Sequence, residues 1–590
     1  MISGSSQSTR IIVFRVLIFI SFVTLLLRYG YVQLIQQDVY FKQSERNRIR
    51  PITLVPPRGI VRDRYEEILV DNVPAYSVYA IPNELSAPDS VFDLLGDLLN
   101  RDPESFRQIF KRDRRGLFQE VKICRYIDFA SLIRIEENKL DLPGIVYGIE
   151  PRRFYPAGVK APHLFGYLGE IDEKGLQSEE FASYKLGDVI GKAGIERIYE
   201  KTLQGKKGFQ IVEVDALGRE VSVLDQLQSQ PPVPGLELHL SIDAGLQRYL
   251  EQKMDTLRGG VAVLNCQNGE VIALVSKPGY NPELFAKPIS EKAWKELTSD
   301  PAKPLYDRMV QSGTNPGSTY KIITAIAGLQ EGLINPDEKV YCPGVYRLGR
   351  RSFKCHKEEG HGSVNLQQAI EQSCNVYFYR MIQKVGLENW AKYSKMFHFG
   401  EKTGIDLTQE YSGSIPDKDY FDHRYGEKKW SKGLLLNLTV GQGELLVTPL
   451  QMASFALLIA NRGQGFRPHV NRFIKNPETG DEFFFERKEL LVEGIREDVW
   501  DLVHAGMFDV VNGIHGTAKR ANPWRIKVAG KTGTAQNPHG DDHAWFIGFA
   551  PFKNPRVAFC FFVENGGGGG AVAAPIAGSM LRYLLREKKI

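Results

Sequence analysis

Asn315-Pro316-Gly317-Ser318-Thr319-Tyr320-Lys321 runs directly into Ile322, Ile323, Ala325, Ile326, Ala327 and Leu329. Pro316 and Gly317 read as a turn. The residues after them are apolar on several faces and read as a helix that only a sizeable core can bury. Any fold for this chain must therefore enclose a helix whose first turn carries a serine and a lysine, three residues apart on one face. Backbone N–H groups in that turn lack intrahelical partners and the dipole there is positive, so an oxyanion forming beside Ser318 is stabilised. A lysine held against an apolar helix has its ammonium form disfavoured and becomes a base. Ser-x-x-Lys occurs once in the chain. A capping serine followed by a surface lysine has the same spelling, so the pair needs company before it signifies chemistry.

Two further elements supply that company. Ser373-Cys374-Asn375 follows the helical run Leu366 to Gln372 and offers a hydroxyl and an amide two residues apart. Lys531-Thr532-Gly533-Thr534 follows Ile526, Val528 and Ala529, which read as a strand. Lys531 is predicted to depress the pKa of Lys321 and to attract a carboxylate, and Gly533 to let an extended substrate approach the strand edge. A second Ser-x-Asn, Ser363-Val364-Asn365, stands just before a helix and reads as its N-cap. A second Lys-Thr-Gly, Lys402-Thr403-Gly404, lies in a polar turn and reads as a loop.

At 590 residues the chain exceeds one compact core, so two or more domains are expected. Hydrophobic content of 43% and charged content of 25% are those of a globular protein, and a net charge of +5 makes no case for nucleic acid. Six cysteines are too few for a disulfide scaffold. Cys342, Cys355 and Cys374 fall close together, whereas Cys124, Cys266 and Cys560 are isolated.

In chain order, residues 1–10 form a polar tail, and Ile11 to Leu27 is apolar apart from Arg15, Ser21 and Thr24. That run reaches about 26 Å as a helix, slightly short of a bilayer core of about 30 Å; counting to Leu34 lengthens it and sets tyrosines at the interface. No small-residue cleavage site follows Leu27, so residues 11–34 read as an uncleaved anchor. The basic residues Arg28, Lys42, Arg46, Arg48 and Arg50 lie on its C-terminal side, a count that on its own points the large domain inward. Residues 35–230 hold no catalytic constellation and read as a non-catalytic pedestal. Within them Arg58 to Arg64 reads as an edge-like strand, Gly191 to Glu196 as a helix opening, and the lone His163 as structural. The stretch 221–236, with Gln226, Gln228, Gln230, Pro231, Pro232 and Pro234, reads as the domain boundary. Beyond it, two apolar runs flank Asn268-Gly269 as a hairpin, helices follow, and strands return at Val557 to Val563. This order predicts an α+β domain over 236–590, an antiparallel sheet flanked by helices. Gly566 to Gly570 is the only low-complexity run.

The three motifs, in this order, resemble those of penicillin-binding proteins and serine β-lactamases. The chain resembles the class B penicillin-binding proteins in particular, through Arg58-Gly59-Ile60-Val61-Arg62-Asp63-Arg64, Arg153-Phe154-Tyr155-Pro156-Ala157-Gly158, Gly191-Lys192-Ala193-Gly194-Ile195-Glu196, Gly441-Gln442-Gly443 and Asp542-His543-Ala544-Trp545-Phe546. One departure is Glu66, where the family usually has glycine, so that local turn is expected to differ. The resemblance implies an elongated pedestal or dimerisation domain, a transpeptidase domain and one transmembrane helix. It implies D,D-transpeptidation of peptidoglycan stem peptides through a serine acyl-enzyme, with β-lactams as inhibitors and no organic cofactor. Ser318 is then the nucleophile and Lys321 its base. Ser373 relays a proton and Asn375 binds the substrate amide. Lys531 and Thr532 hold the carboxylate at Gly533, and the N–H groups of Ser318 and Thr534 hold the oxyanion. The implied place is the inner (cytoplasmic) membrane, N-terminus in the cytoplasm and catalytic domain outside, beside a polytopic glycan polymerase. The same serine used for hydrolysis, in a D,D-carboxypeptidase or β-lactam sensor, and a non-catalytic scaffold for the polymerase are the competing readings.

Cys342, Cys355, His361 and Cys374 offer three thiolates and an imidazole, a closed tetrahedral set for a structural zinc, and relatives with zinc in this segment match these positions. His356 is a substitute ligand, and a Cys342–Cys355 disulfide is the alternative.

Overall fold

The computed structural model describes residues 5–38, 40, 49–117, 119–185, 187–214, 220–223, 229–427 and 429–590. Residues 1–4 of the polar tail, the basic Lys42, Arg46 and Arg48, and Gln226 and Gln228 of the boundary stretch lie outside the described residues. The chain divides into two compact units: residues 1–56, 75–150 and 206–233, and residues 57–74, 151–205 and 234–590. Two pieces of the N-terminal half thus belong to the larger unit.

In the smaller unit, the helices Pro88–Leu99, Pro103–Asp113 and Phe129–Glu137 bury Phe92, Leu95, Phe106 and Ile135 together with Val78 and Ile123 from strands. Asp102 and Asp128 cap the second and third helices, each accepting a backbone N–H. Strands Ile49–Leu54, Gly208–Val214 and Glu220–Val223 form a separate antiparallel sheet. The same unit carries the helix Ser5–Gly30, which continues through Tyr31–Ile35 with a wider turn. Ile11–Ile35 has a mean hydropathy of 2.4 and none of it is buried. At about 37 Å it is long enough to cross a bilayer core of about 30 Å.

In the larger unit, a five-stranded sheet has the order 271–277, 259–265, 557–563, 543–550, 529–535. All four pairings are antiparallel, with Gly259 opposite both Lys277 and Val563, and Thr534 opposite Ala544. The hairpin expected at Asn268-Gly269 joins the first two strands. The wholly buried helix Pro449–Ala460 packs on this sheet; Thr448 and Gln451 close its N-terminus as a capping box. Helices Lys321–Gln330, Leu366–Glu371, Glu497–Asn512 and Ala573–Arg586 complete the layers, so the α+β sheet-and-helix reading describes this unit. The helical span Asn375–Met396 breaks at Gly386.

Two local readings need correction. Val61–Arg62 is an internal strand: Val61 sits opposite Leu238 on one side and Val70 on the other. Its charges tolerate that position because they are partnered. Arg62 Nε donates to Glu237 at 3.2 Å, and Asp63 accepts from the backbone N–H groups of Tyr65 and Glu67 at 2.7 and 2.8 Å and of Ala244 at 3.1 Å. The turn at Glu66 does not take a different path for want of glycine. Glu66 adopts φ 68°, the left-handed region glycine favours, and the Asp63 bonds on either side hold it there at a cost of about 1–2 kcal/mol. His163 is structural as read, its Nε2 lying 2.8 Å from the Pro304 carbonyl.

Candidate active site

The serine enters the site on a tight turn. Gly317–Tyr320 forms a 3-10 turn, and the α-helix begins at Lys321. Gly317 has φ 59°, and a Cβ there would stand 2.7 Å from the Thr534 carbonyl oxygen, so only glycine lets the turn press against the lysine strand Ala529–Ala535. From the other side a Cβ on Gly533 would meet the Pro316 carbonyl at 2.6 Å. Ser318, half-buried, lies in this clamp.

Lys321 and Lys531 are both fully buried. Lys321 Nζ donates to the Ser373 carbonyl at 2.7 Å, to Ser373 Oγ at 3.2 Å and to Asn375 Oδ1 at 2.6 Å. Lys531 Nζ reaches the same Ser373 Oγ at 2.9 Å and the Thr532 carbonyl at 3.1 Å. Motifs far apart in sequence thus share one hydroxyl. Burial lowers the Lys321 pKa from 10.5 to about 8, against an opposing pull from Cys355, Cys374 and Cys342. Keeping that amine dry costs about 3 kcal/mol. The fully buried Ile322, Ile323 and Ile326 on its helix return about 1.5–3 kcal/mol each, so the helix outweighs its lysine. Burial drives Lys531 well below its ordinary value, and the charge of Lys321 adds to the effect. The two buried amines disfavour each other's charge, because whichever holds its proton suppresses the other.

Ser373 has φ 57°, a costly conformation for a side-chain-bearing residue, held between the two amines. The lysine strand is the edge of the five-stranded sheet, so its outer side is open to an added extended chain. Thr532 is buried beside Ser373 and Thr534 is exposed.

The duplicate motifs stay outside. Asn365 is an N-cap with a capping box to Gln368, as read. Lys402-Thr403-Gly404 is a loop in which Thr403 N and Gly404 N donate to Glu410 at 2.7 and 3.0 Å.

Two contacts were not found from the sequence. Thr517 Oγ1 lies 2.7 Å from Thr532 Oγ1. The glycine run has a position: a Cβ on Gly569 would fall 2.2 Å from the Trp545 carbonyl and 2.4 Å from that of Gly533, so Gly569 lies flat on the lysine strand. Its low complexity was the available signal.

Beside Ser373, the ligand atoms of Cys342, Cys355, His361 and Cys374 all lie within 4.8 Å of one another. Cys342 Sγ and Cys355 Sγ stand 3.6 and 3.5 Å from His361 Nδ1. A tetrahedral zinc with Zn–S of about 2.3 Å and Zn–N of about 2.0 Å has S···N edges of about 3.6 Å, so the donor set fits that ion. Asn375 N–H donates to Cys355 Sγ at 3.3 Å, which ties the cluster to the site. The three thiols are free, and the Cys355 thiol is pushed down by its hydrogen bond with Cys374.

Residues 259–582 match the penicillin binding protein transpeptidase domain, and residues 53–240 the penicillin-binding protein dimerisation domain. The chain belongs to the penicillin-binding proteins. The two domains together make it a class B member. It is similar to the peptidoglycan D,D-transpeptidase MrdA of Haemophilus influenzae, with 32% identity over 94% of this chain and 88% of that one. Among solved structures it is similar to penicillin-binding protein 2 of Helicobacter pylori in complex with MreC, with TM-score 0.80, 29% identity, and coverage of 92% of this chain and 100% of that one. It is also similar to a chain described under structural coordination of polymerization and crosslinking by a peptidoglycan synthase complex, with TM-score 0.71, 25% identity and coverage of 97% of each. This penicillin-binding protein therefore shares nearly its whole length with relatives of both kinds.

Proposed function

We propose that this penicillin-binding protein is the peptidoglycan D,D-transpeptidase of cell elongation, working through an acyl-enzyme on Ser318. The observation that carries the reading is the pair of buried amines, Lys321 and Lys531, meeting at Ser373 Oγ.

Ser318 Oγ attacks the carbonyl of the penultimate D-Ala of a stem peptide, and its proton passes to the neutral amine of Lys321. The backbone N–H groups of Ser318 and Thr534 face the oxyanion, where such donors are worth about 3–4 kcal/mol each. The C–N bond then breaks, and the leaving D-Ala takes a proton through Ser373. Asn375 holds the peptide amide, and Lys531 with Thr532 holds the terminal carboxylate, the donor lying extended along Gly533. An amine from a neighbouring stem attacks the ester, gives up a proton to the Lys321–Ser373 pair and frees Ser318. β-Lactams enter by the same attack.

A zinc held by Cys342, Cys355, His361 and Cys374 supplies only rigidity, fixing the loop that carries Ser373 and Asn375; the donor spacing supports this. Ile11–Ile35 anchors the chain once in the cytoplasmic membrane, N-terminus inside, because the substrate lies outside. A polytopic glycan polymerase is the partner, in keeping with the synthase complex to which the fold is similar.

The test is cross-linking itself. Un-cross-linked glycan strands with pentapeptide stems, incubated with the protein and its polymerase, give cross-linked dimers by mass spectrometry. Free D-Ala released without dimers would instead assign the chain to hydrolysis.

A further inference from the structure

We propose that a basic hairpin beside the active site docks the free carboxylates of the peptidoglycan stem peptide. Residues 347–357 hold Arg347, Arg350, Arg351, Lys354 and Lys357 and no acid, matching in eleven residues the net charge of +5 of the whole chain. Strands Val345–Leu348 and Arg351–Lys354 pair with Arg347 opposite Ser352 and Leu348 opposite Arg351. One face packs inward: Tyr346 and Phe353 lie 5.9 and 5.8 Å from the Tyr379 ring. Arg347 and Lys354 lie on the other face, Arg350 in the turn with Arg351 beside it, and Lys357 beyond the second strand, and all five are exposed to solvent. Lys432, also exposed, adds a cation beside the packed face of the hairpin, since Phe353 lies 3.4 Å from where a Cβ on Gly433 would stand. Among the described residues, Arg347, Arg350, Arg351, Lys357 and Lys432 form no ion pair, and Lys354 meets only Glu358, at 3.6 Å with both side chains more than four-fifths exposed. A cluster of like charges without partners raises the local concentration of an anion.

The hairpin's position chooses the anion. Asn375 Nδ2 donates to the Lys354 carbonyl at 3.2 Å and Asn375 N–H to Cys355 Sγ at 3.3 Å, while Lys321 reaches Asn375 Oδ1 at 2.6 Å. What binds the hairpin therefore lies against the residues that handle the scissile amide. A stem peptide carries free carboxylates on its γ-linked glutamate and on its diamino acid, and it enters that cleft. The inference rests on the transpeptidase reading and adds what the enzyme recognises upstream of the scissile bond.

The test compares wild type with a variant bearing Arg347→Glu, Arg350→Glu and Arg351→Glu, on glycan strands whose glutamate and diamino-acid carboxylates are free or amidated while the terminal D-Ala carboxylate stays free. On free-acid strands the variant's KM for cross-linking rises about tenfold with kcat within about twofold; on amidated strands the two proteins agree. Wild type itself has a lower KM for free-acid than for amidated strands, and about 0.5 M salt removes the difference. Equal KM values of wild type on the two substrates overturn the proposal, whether or not the variant folds. So does loss of binding to anionic phospholipid vesicles with an unchanged KM, which makes the hairpin a membrane contact. Labelled penicillin checks the cleft separately: a wild type that takes none up fails the transpeptidase reading, not the docking.

Discussion

Lys321 sets the pH dependence of the chemistry. Its burial lowers the pKa to about 8, and only the free amine accepts the Ser318 proton. The free fraction grows as pH rises through that value and falls about tenfold per pH unit below it. The second-order rate of penicillin acylation, measured from pH 6 to 9, should rise with a midpoint near 8; a flat profile removes Lys321 as the base. Ser373 is the second such residue, because its hydroxyl meets both amines. Ser373→Ala is expected to slow acylation by about 10²-fold or more while leaving the melting temperature within a few degrees. Both residues were legible in the sequence because short motifs carry them. The depth at which the two amines are buried was not, since no spacing reveals it. Thr517 escaped notice for a related reason: its hydroxyl meets Thr532 through a loop closure with no local pattern.

At the scale of elements, the Asn268-Gly269 hairpin and the buried serine helix were readable because turn chemistry and apolar patterning are local. Val61–Arg62 was misread as an edge because its partners, Glu237–Leu240 and Ile68–Ala80, are supplied by other parts of the chain. The glycine run shows the same limit. Its composition marked only low complexity, but the structure presses Gly569 onto Gly533 and Trp545. Gly569→Ala is therefore expected to cost about 1–3 kcal/mol and slow acylation, since the backbone must shift against the lysine strand. Differential scanning calorimetry and labelled-penicillin kinetics check both parts; unchanged values mean the run yields freely. The cysteine cluster makes a further prediction. One equivalent of zinc should accompany the purified protein, and chelation should lower the melting temperature by about 5 °C or more. Less than a tenth of an equivalent of zinc counts against the site.

Across the whole molecule, two compact units with separate cores share a chain that crosses between them several times. Sequence composition marked the Pro-rich stretch near 231–234 but gave no sign that residues 57–74 and 151–205 pack with the larger unit, because that association rests on buried hydrogen bonds between distant residues, such as Ala244 N–H to Asp63 at 3.1 Å and Ala161 N–H to Glu251 at 2.8 Å. The exposed apolar helix Ile11–Ile35 should hold the full chain in the membrane fraction, and removal of residues 1–35 should release a soluble protein that still takes up penicillin. All of these expectations presuppose that Ser318, on the tight turn Gly317–Tyr320, is the acylated residue. Mass spectrometry of the intact protein after incubation with labelled penicillin, followed by peptide mapping, tests this most directly. The account predicts one long-lived adduct on the peptide containing Ser318, absent from Ser318→Ala; no adduct on the wild type, or an adduct that persists in the variant, contradicts it.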